Sequence, residues 1–108
     1  MTTQLIALTS AVREDSEVRA SLDGELDFHT SAQIGPRLMQ LAQSCGPELT
    51  LDLSGLTFCD SSGIDLLLRI HQQSVSCGTR LRLARVPHLV AASMRVLGAD
   101  RVLLLSGR

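Results

Sequence analysis

Tryptophan and tyrosine are absent, and Phe28 and Phe58 are the only aromatic side chains besides histidine. A base-stacking platform for single-stranded nucleic acid cannot be built from so few. Lysine is absent too: all ten basic residues are arginines, set against eleven acidic ones for a net charge of −1. That balance lacks the basic face that tracking a phosphate backbone requires, so no direct nucleic-acid partner is expected. No apolar run approaches the roughly 18–20 residues of a membrane span. The stretch Leu5-Ile6-Ala7-Leu8 is too short for a signal peptide, and residues 1–4 carry no basic side chain. No membrane insertion and a cytoplasmic location are therefore expected. The three cysteines (Cys45, Cys59 and Cys77) are odd in number and form no CxxC pair. They suit buried thiols in a reducing compartment better than disulfides or zinc ligands.

What is present is an ordinary globular balance, 44% hydrophobic and 19% charged, in a chain of 108 residues. One domain with one modest core is expected. Residues 4–9 are apolar and strand-like, and residues 17–23 alternate, with Val18, Ala20 and Leu22 on one face. The polar Arg13-Glu14-Asp15-Ser16 between them suits a hairpin turn, and Gly24 is the expected strand end. Thr30 with Gln33 resembles a capping box, followed by Ile34, Leu38, Leu41 and Cys45 on one helical face. Pro36 conflicts with that start, since inside a helix it costs about 3 kcal/mol; the helix begins nearer Gly35 or is bent.

Leu49, Leu51 and Leu53 alternate with polar residues as a strand, which Phe58-Cys59 continues after Gly55. A helix with Ile64, Leu67, Leu68 and Val75 on one face follows, with Ser62 as N-cap, Asp65 three residues on and Gly78 as stop. Leu81, Leu83 and residues 85–86 make a fourth strand. Pro87 opens a third helix faced by Val90, Met94 and Leu97, and Gly98 ends it. Residues 102–105 close as a short strand. Strand–helix alternation after an opening hairpin implies right-handed crossovers and a mostly parallel, mixed α/β sheet with three main helices.

In such sheets functional groups gather beyond the strands' carboxyl ends, here residues 23–30 and 60–63. Neither segment carries a glycine-rich phosphate-binding pattern. Serines 61 and 62 with His29, His71 or His88 could in principle serve a hydrolytic triad. No GxSxG elbow supports one, and no His, Cys and carboxylate set has metal-ligand spacing, so no catalytic residue, metal or cofactor is expected. His71 borders an apolar helical face, and His88 lies near a helix start. The Asp60-Ser61-Ser62-Gly63 loop has two readings. Capping alone accounts for these residue types at a strand-to-helix turn. Alternatively, an exposed hydroxyl at a helix N-terminus is well placed to carry a phosphate, stabilised by free N–H groups and the helix dipole.

Two segments then resemble the STAS domain, the family of bacterial anti-sigma factor antagonists and of sulfate-transporter cytoplasmic domains. They are Gly-Glu-Leu-Asp-Phe-His-Thr at 24–30 and Leu-Asp-Leu-Ser-Gly-Leu-Thr-Phe-Cys-Asp-Ser-Ser-Gly-Ile-Asp-Leu-Leu-Leu at 51–68. A weaker echo is the Pro87-led helix ending Leu97-Gly98-Ala99. The resemblance spans a core of about residues 4–105 of a single 1–108 domain.

The resemblance implies a non-enzymatic anti-sigma factor antagonist. Its partner would be an anti-sigma factor serine kinase with a histidine-kinase-like ATPase fold, from which it frees a sigma factor. Phosphorylation of Ser61 would end the binding and a phosphatase would restore it, with Ser62 as the fallback site. On the docking surface Asp60 would shape the loop, Ser62 would cap the helix, and Gly63 would let the kinase approach. Asp27 would sit beside the phosphorylated serine, and Ile64 would offer an apolar contact at the surface's edge. A monomer is expected. Where sporulation and stress-response members continue into a further helix, this chain ends at Arg108, which could expose Val102 or Leu104 for homodimerisation. Asp65 stands where those members usually carry a small residue. The alternative is a constitutive STAS adaptor subunit of a transporter or signalling scaffold, in which Ser61 need not be phosphorylated.

Overall fold

The computed structural model describes residues 6–12, 17–43, 46–103 and 105–106. Within them the chain forms β1 (Ile6–Val12), β2 (Val18–Leu26), α1 (Phe28–Ala42), β3 (Glu48–Cys59), α2 (Ser61–Ser76), β4 (Arg80–Ala84), α3 (His88–Val96) and β5 (Leu105–Ser106). The five strands make one sheet in the order β1-β2-β3-β4-β5. β1 pairs antiparallel with β2, Leu8 opposite Leu22, and every later pairing is parallel. Spatial order follows chain order, so right-handed crossovers lay all three helices on the same face.

Period-two alternation builds that face. Val18, Ala20 and Leu22 of β2, Leu49, Leu51 and Leu53 of β3, and Leu81 and Leu83 of β4 are buried. They meet Leu38 of α1, Leu67 and Ile70 of α2, and Met94 of α3. The opposite face carries Arg19, Thr50 and Arg82 in one cross-strand row. Asp52 is the exception there, a carboxylate only 4% exposed.

Several local expectations change. Gly24 does not end β2; the strand runs on to Leu26, with register irregularities at Ser21/Asp23 and Gly24/Glu25 where Gly24 takes φ 119°. Gly55 lets β3 continue beside this distortion, since a Cβ there would stand 1.8 Å from Asp23 Oδ1. Because β2 extends, α1 starts at Phe28 and its capping box is Asp27 with Thr30, not Thr30 with Gln33. Pro36 lies inside α1, on its exposed side. Pro87 is the N-cap of α3 rather than its first residue. Ala99–Arg101 form a short 3-10 turn, so the last strand is Leu105–Ser106 and not residues 102–105. The expected hairpin turn at residues 13–16, Gln4, Leu5, Cys45 and Leu104 lie outside the described residues.

Candidate functional site

β2 and β3 run parallel and finish level, with Leu26 the register partner of Cys59. The next residue on each strand is an aspartate, Asp27 and Asp60, and each caps the helix that follows. A backbone hydrogen bond from Asp60 N–H to the Leu26 carbonyl, 3.2 Å, ties the two turns together. Two loops separated by more than thirty residues of chain thus share one end of the sheet.

The first turn is rigid. Asp27 Oδ1 accepts from the Thr30 N–H at 3.0 Å, while the Asp27 N–H donates to Thr30 Oγ1 at 2.8 Å. Thr30, almost fully buried, also donates to the Glu25 carbonyl at 2.7 Å. The Thr30 N–H is the main reason the Asp27 carboxyl is held below its ordinary pKa.

The second turn has the same logic and a different outcome. Asp60 Oδ1 accepts from the N–H groups of Ser62 and Gly63 at 2.9 and 3.1 Å. Asp60, not Ser62, is therefore the N-cap, and Asp65 is not the acidic partner of a capping box. The reason is positional: β3 runs to Cys59, which leaves Asp60 as the last non-helical residue. Ser61 then occupies the first helical position and is exposed, whereas Ser62 is half-buried. The positive end of the α2 dipole lies at Ser61.

Gly63 and Ile64 both turn inward, Ile64 as the apolar helical face it shares with Leu67 requires. Gly63 is buried, and a Cβ there would stand 2.8 Å from Cys59 Sγ, Leu26 Cγ and the Leu26 carbonyl oxygen. Its missing side chain serves the close approach of α2 to β2 and β3. Ile64 is 1% exposed and belongs to the core, so it is not an apolar contact at the edge of a surface. Burial, with the Asp60 charge beside it, pushes the Cys59 thiol up to about 12, so it stays protonated.

The exposed apolar surface near Ser61 comes from α3 instead. A cleft of about 360 Å³ separates the start of α2 from α3, with Ser61 at its rim, Ile64 at its floor and Leu89, Val96 and Leu97 along the far wall. Leu89 and Val96 are 82% and 84% exposed. Sequence periodicity assigned Val90, Met94 and Leu97 to the buried face; Val90 and Met94 are buried, but Leu97 is exposed. Leu89 and Val96 went unnoticed. Their spacing of seven on a helix whose buried stripe already holds Val90 and Met94 was the available signal. His71 is half-buried on α2 and His88 is exposed at the start of α3. Among the described residues no group of three His, Cys, Asp or Glu side chains could hold a metal ion, and no helix is long and apolar enough to cross a membrane.

A two-layer α/β domain with paired aspartate-capped turns at the carboxyl ends of adjacent parallel strands is the class this geometry defines. The family model described as "Mlab, STAS domain" matches residues 9–106, and the chain belongs to the STAS domain family. Solved structures agree on the fold. An anti-sigma factor antagonist from Mycobacterium paratuberculosis superposes with a TM-score of 0.80 at 20% identity, covering 94% of this chain and 87% of that one. An anti-sigma factor antagonist (STAS) domain protein from Planctomyces limnophilus gives 0.77 at 21% identity, over 95% and 90% of the two chains. The Bacillus cell-fate determinant SpoIIAA in its phosphorylated form gives 0.70 at 21%, over 94% and 93%. Among curated proteins no sequence matches significantly.

Proposed function

We propose that this protein is an anti-sigma factor antagonist, a binding module rather than an enzyme, acting in the cytoplasm. Its partner is an anti-sigma factor of the serine-kinase class, and docking frees a sigma factor. The docking surface consists of the turns at Asp27 and at Asp60, Ser61 and Ser62, with the α3 wall of Leu89 and Val96. Phosphorylation of Ser61 ends the interaction and a phosphatase restores it.

The observation that carries this reading is the position of Ser61. Because Asp60 alone caps α2, the Ser61 hydroxyl is not needed for the turn and stands exposed at the helix start. A phosphate there adds about −1.5 to −2 charges and is tolerated by the helix dipole of its own domain. A docked partner must instead bury a dianion beside the carboxylates of Asp60 and Asp27. An unpaired buried charge costs roughly 2–5 kcal/mol, which weakens binding about thirtyfold to several thousandfold. The names of the structural relatives, anti-sigma factor antagonists including one in a phosphorylated form, support the same role.

The test is capture from host lysate with tagged wild type and Ser61→Asp, retained proteins being identified by mass spectrometry. Wild type retains an ATPase-domain kinase that Ser61→Asp loses. Retention of the same proteins by both would replace this reading with that of a constitutive adaptor. Phosphopeptide mapping assigns the modification to Ser61 and not Ser62.

A further inference from the structure

The sheet ends on one side in β5, two residues long, and on the other in β1, seven residues long. An edge strand leaves backbone N–H and C=O groups without a ladder partner. Arg37 shows which ones these are on β1. From an exposed position on α1 its Nη2 donates to the Leu8 carbonyl at 3.2 Å. A carbonyl aimed at β2 would lie beneath α1, out of reach of a guanidinium in solvent, so the Leu8 carbonyl points off the edge. In an antiparallel ladder that direction alternates residue by residue. Ile6, Leu8, Ser10 and Val12 therefore turn their backbone groups outward, while Ala7, Thr9 and Ala11 bond to β2.

Edges are ordinarily guarded by charge, proline, a bulge or short length. β1 has none of these. Its sequence, Ile-Ala-Leu-Thr-Ser-Ala-Val, contains no charged residue, proline or glycine. It pairs with β2 over all seven residues without a register break, whereas the pairing of β2 with β3 is irregular. Arg37 covers one outward carbonyl with a single hydrogen bond from a flexible side chain, which an incoming strand displaces.

The charge pattern selects the occupant. A charged strand gains nothing from a neutral edge. A two-fold axis sets each residue against its own copy or a near neighbour, so self-pairing asks for a strand without charge, which β1 is. We infer that β1 pairs antiparallel with β1 of a second copy about a two-fold axis at Thr9, joining two five-stranded sheets into one. Leu8 faces the second copy's Ser10 and Ile6 its Val12, each pair exchanging two backbone hydrogen bonds. In this register all seven residues are used, and the Leu8 carbonyl passes from Arg37 to the second copy's Ser10 N–H. A contact of one strand is smaller than that of a permanent dimer, so the association is reversible and follows concentration. The seam lies on the β1 side of the sheet, away from α3 and the Asp60 turn, so both copies keep their docking surfaces. That consequence rests on the proposed function; the pairing does not, and it is measured on the protein alone.

The test is sedimentation equilibrium of the full chain across the micromolar to millimolar range, with amide hydrogen exchange read in parallel. Wild type dimerises with concentration, and exchange at Leu8 and Ser10 slows as it does. Thr9 is exposed and meets its own copy at the axis, about 4.5 Å between Cα atoms. Thr9→Glu and Thr9→Lys each weaken the dimer by about tenfold or more, and mixing the two variants restores it, which a folding defect would not allow. Ser10→Pro removes an N–H that β2 does not use, so it abolishes the dimer with the melting temperature nearly unchanged. A wild type that stays monomeric at millimolar concentration overturns the inference and leaves the edge to a strand of another protein. A dimer indifferent to both Thr9 variants and to Ser10→Pro overturns it as well.

Discussion

Arg85 clamps Asp52 with two nitrogens, Nε at 3.1 Å and Nη2, from a backbone at φ 53°. No other non-glycine among the described residues has a positive φ. The Asp52 carboxylate also accepts the Ser54 N–H at 2.9 Å, and Arg19 stands 3.9 Å away. Asp52 lies in β3 and Arg85 between β4 and α3, so this pair holds the turn from which the α3 wall departs. Strain of this kind costs of order 1–3 kcal/mol and persists only where neighbouring interactions hold it.

Stability should fall with acid through Asp52. Burial alone would raise its pKa, but the hydrogen bonds from Arg85 and Ser54 outweigh that and bring it from 3.8 to about 2. A carboxyl depressed on folding stabilises the native state above its unfolded pKa and loses that contribution as pH falls through its folded one. About 2 kcal/mol should disappear between roughly pH 4 and pH 2. Thermal denaturation across that window should show the loss in wild type and a flatter profile in Asp52→Asn.

Replacing Arg85 separates clamp from strain. Arg85→Ala removes the clamp and keeps a side chain at positive φ, whereas Arg85→Gly removes both. The glycine variant should be the more stable of the two by about 1 kcal/mol, the reverse of the order in ordinary backbone. Urea denaturation of both proteins decides it, and equal midpoints would mean that the backbone relaxes freely.

Gly63→Ala should destabilise by about 1–3 kcal/mol, because the added methyl meets the Leu26 carbonyl and the Cys59 sulfur at 2.8 Å. The chevron or equilibrium midpoint would report it. A neutral result would show that α2 can lift off the ends of β2 and β3 without cost.

Asp60→Ala should cost about 1 kcal/mol by leaving the Ser62 and Gly63 N–H groups unpaired, while Asp60→Asn should recover most of it. Ser62→Ala should leave stability almost unchanged, because its side chain caps nothing. Equal losses for Asp60→Ala and Ser62→Ala would restore Ser62 as the cap.

Leu89→Asp and Val96→Asp should leave the melting temperature nearly unchanged, since both side chains project into solvent. The same changes should remove capture of the proposed anti-sigma partner, as Ser61→Asp should. Undiminished capture by the double variant would exclude α3 from the docking surface.

Which residues build the sheet was legible from alternation. Val18, Ala20 and Leu22, and Leu49, Leu51 and Leu53, lie buried as their period of two requires, because side chains on a pleated strand have only two directions to take. The loop at Asp60 was visible as a strand-to-helix turn, since aspartate and serine there offer the helix its missing acceptors, whereas the turn at Asp27 was read only as part of a longer loop over residues 23–30.

Tertiary structure decided what each of those residues does. Asp27, Thr30, Asp60 and Ser62 are all competent N-caps, so local preference cannot choose among them. The choice falls to where the strands stop, and that is set by the level pairing of Leu26 with Cys59. The same limit hid the exposure of Leu89 and Val96, and the clamp of Arg85 on Asp52 from thirty-three residues away. Pattern in the sequence determined which side chains must leave water; only the packing of α2 and α3 against the sheet determined which were left facing it.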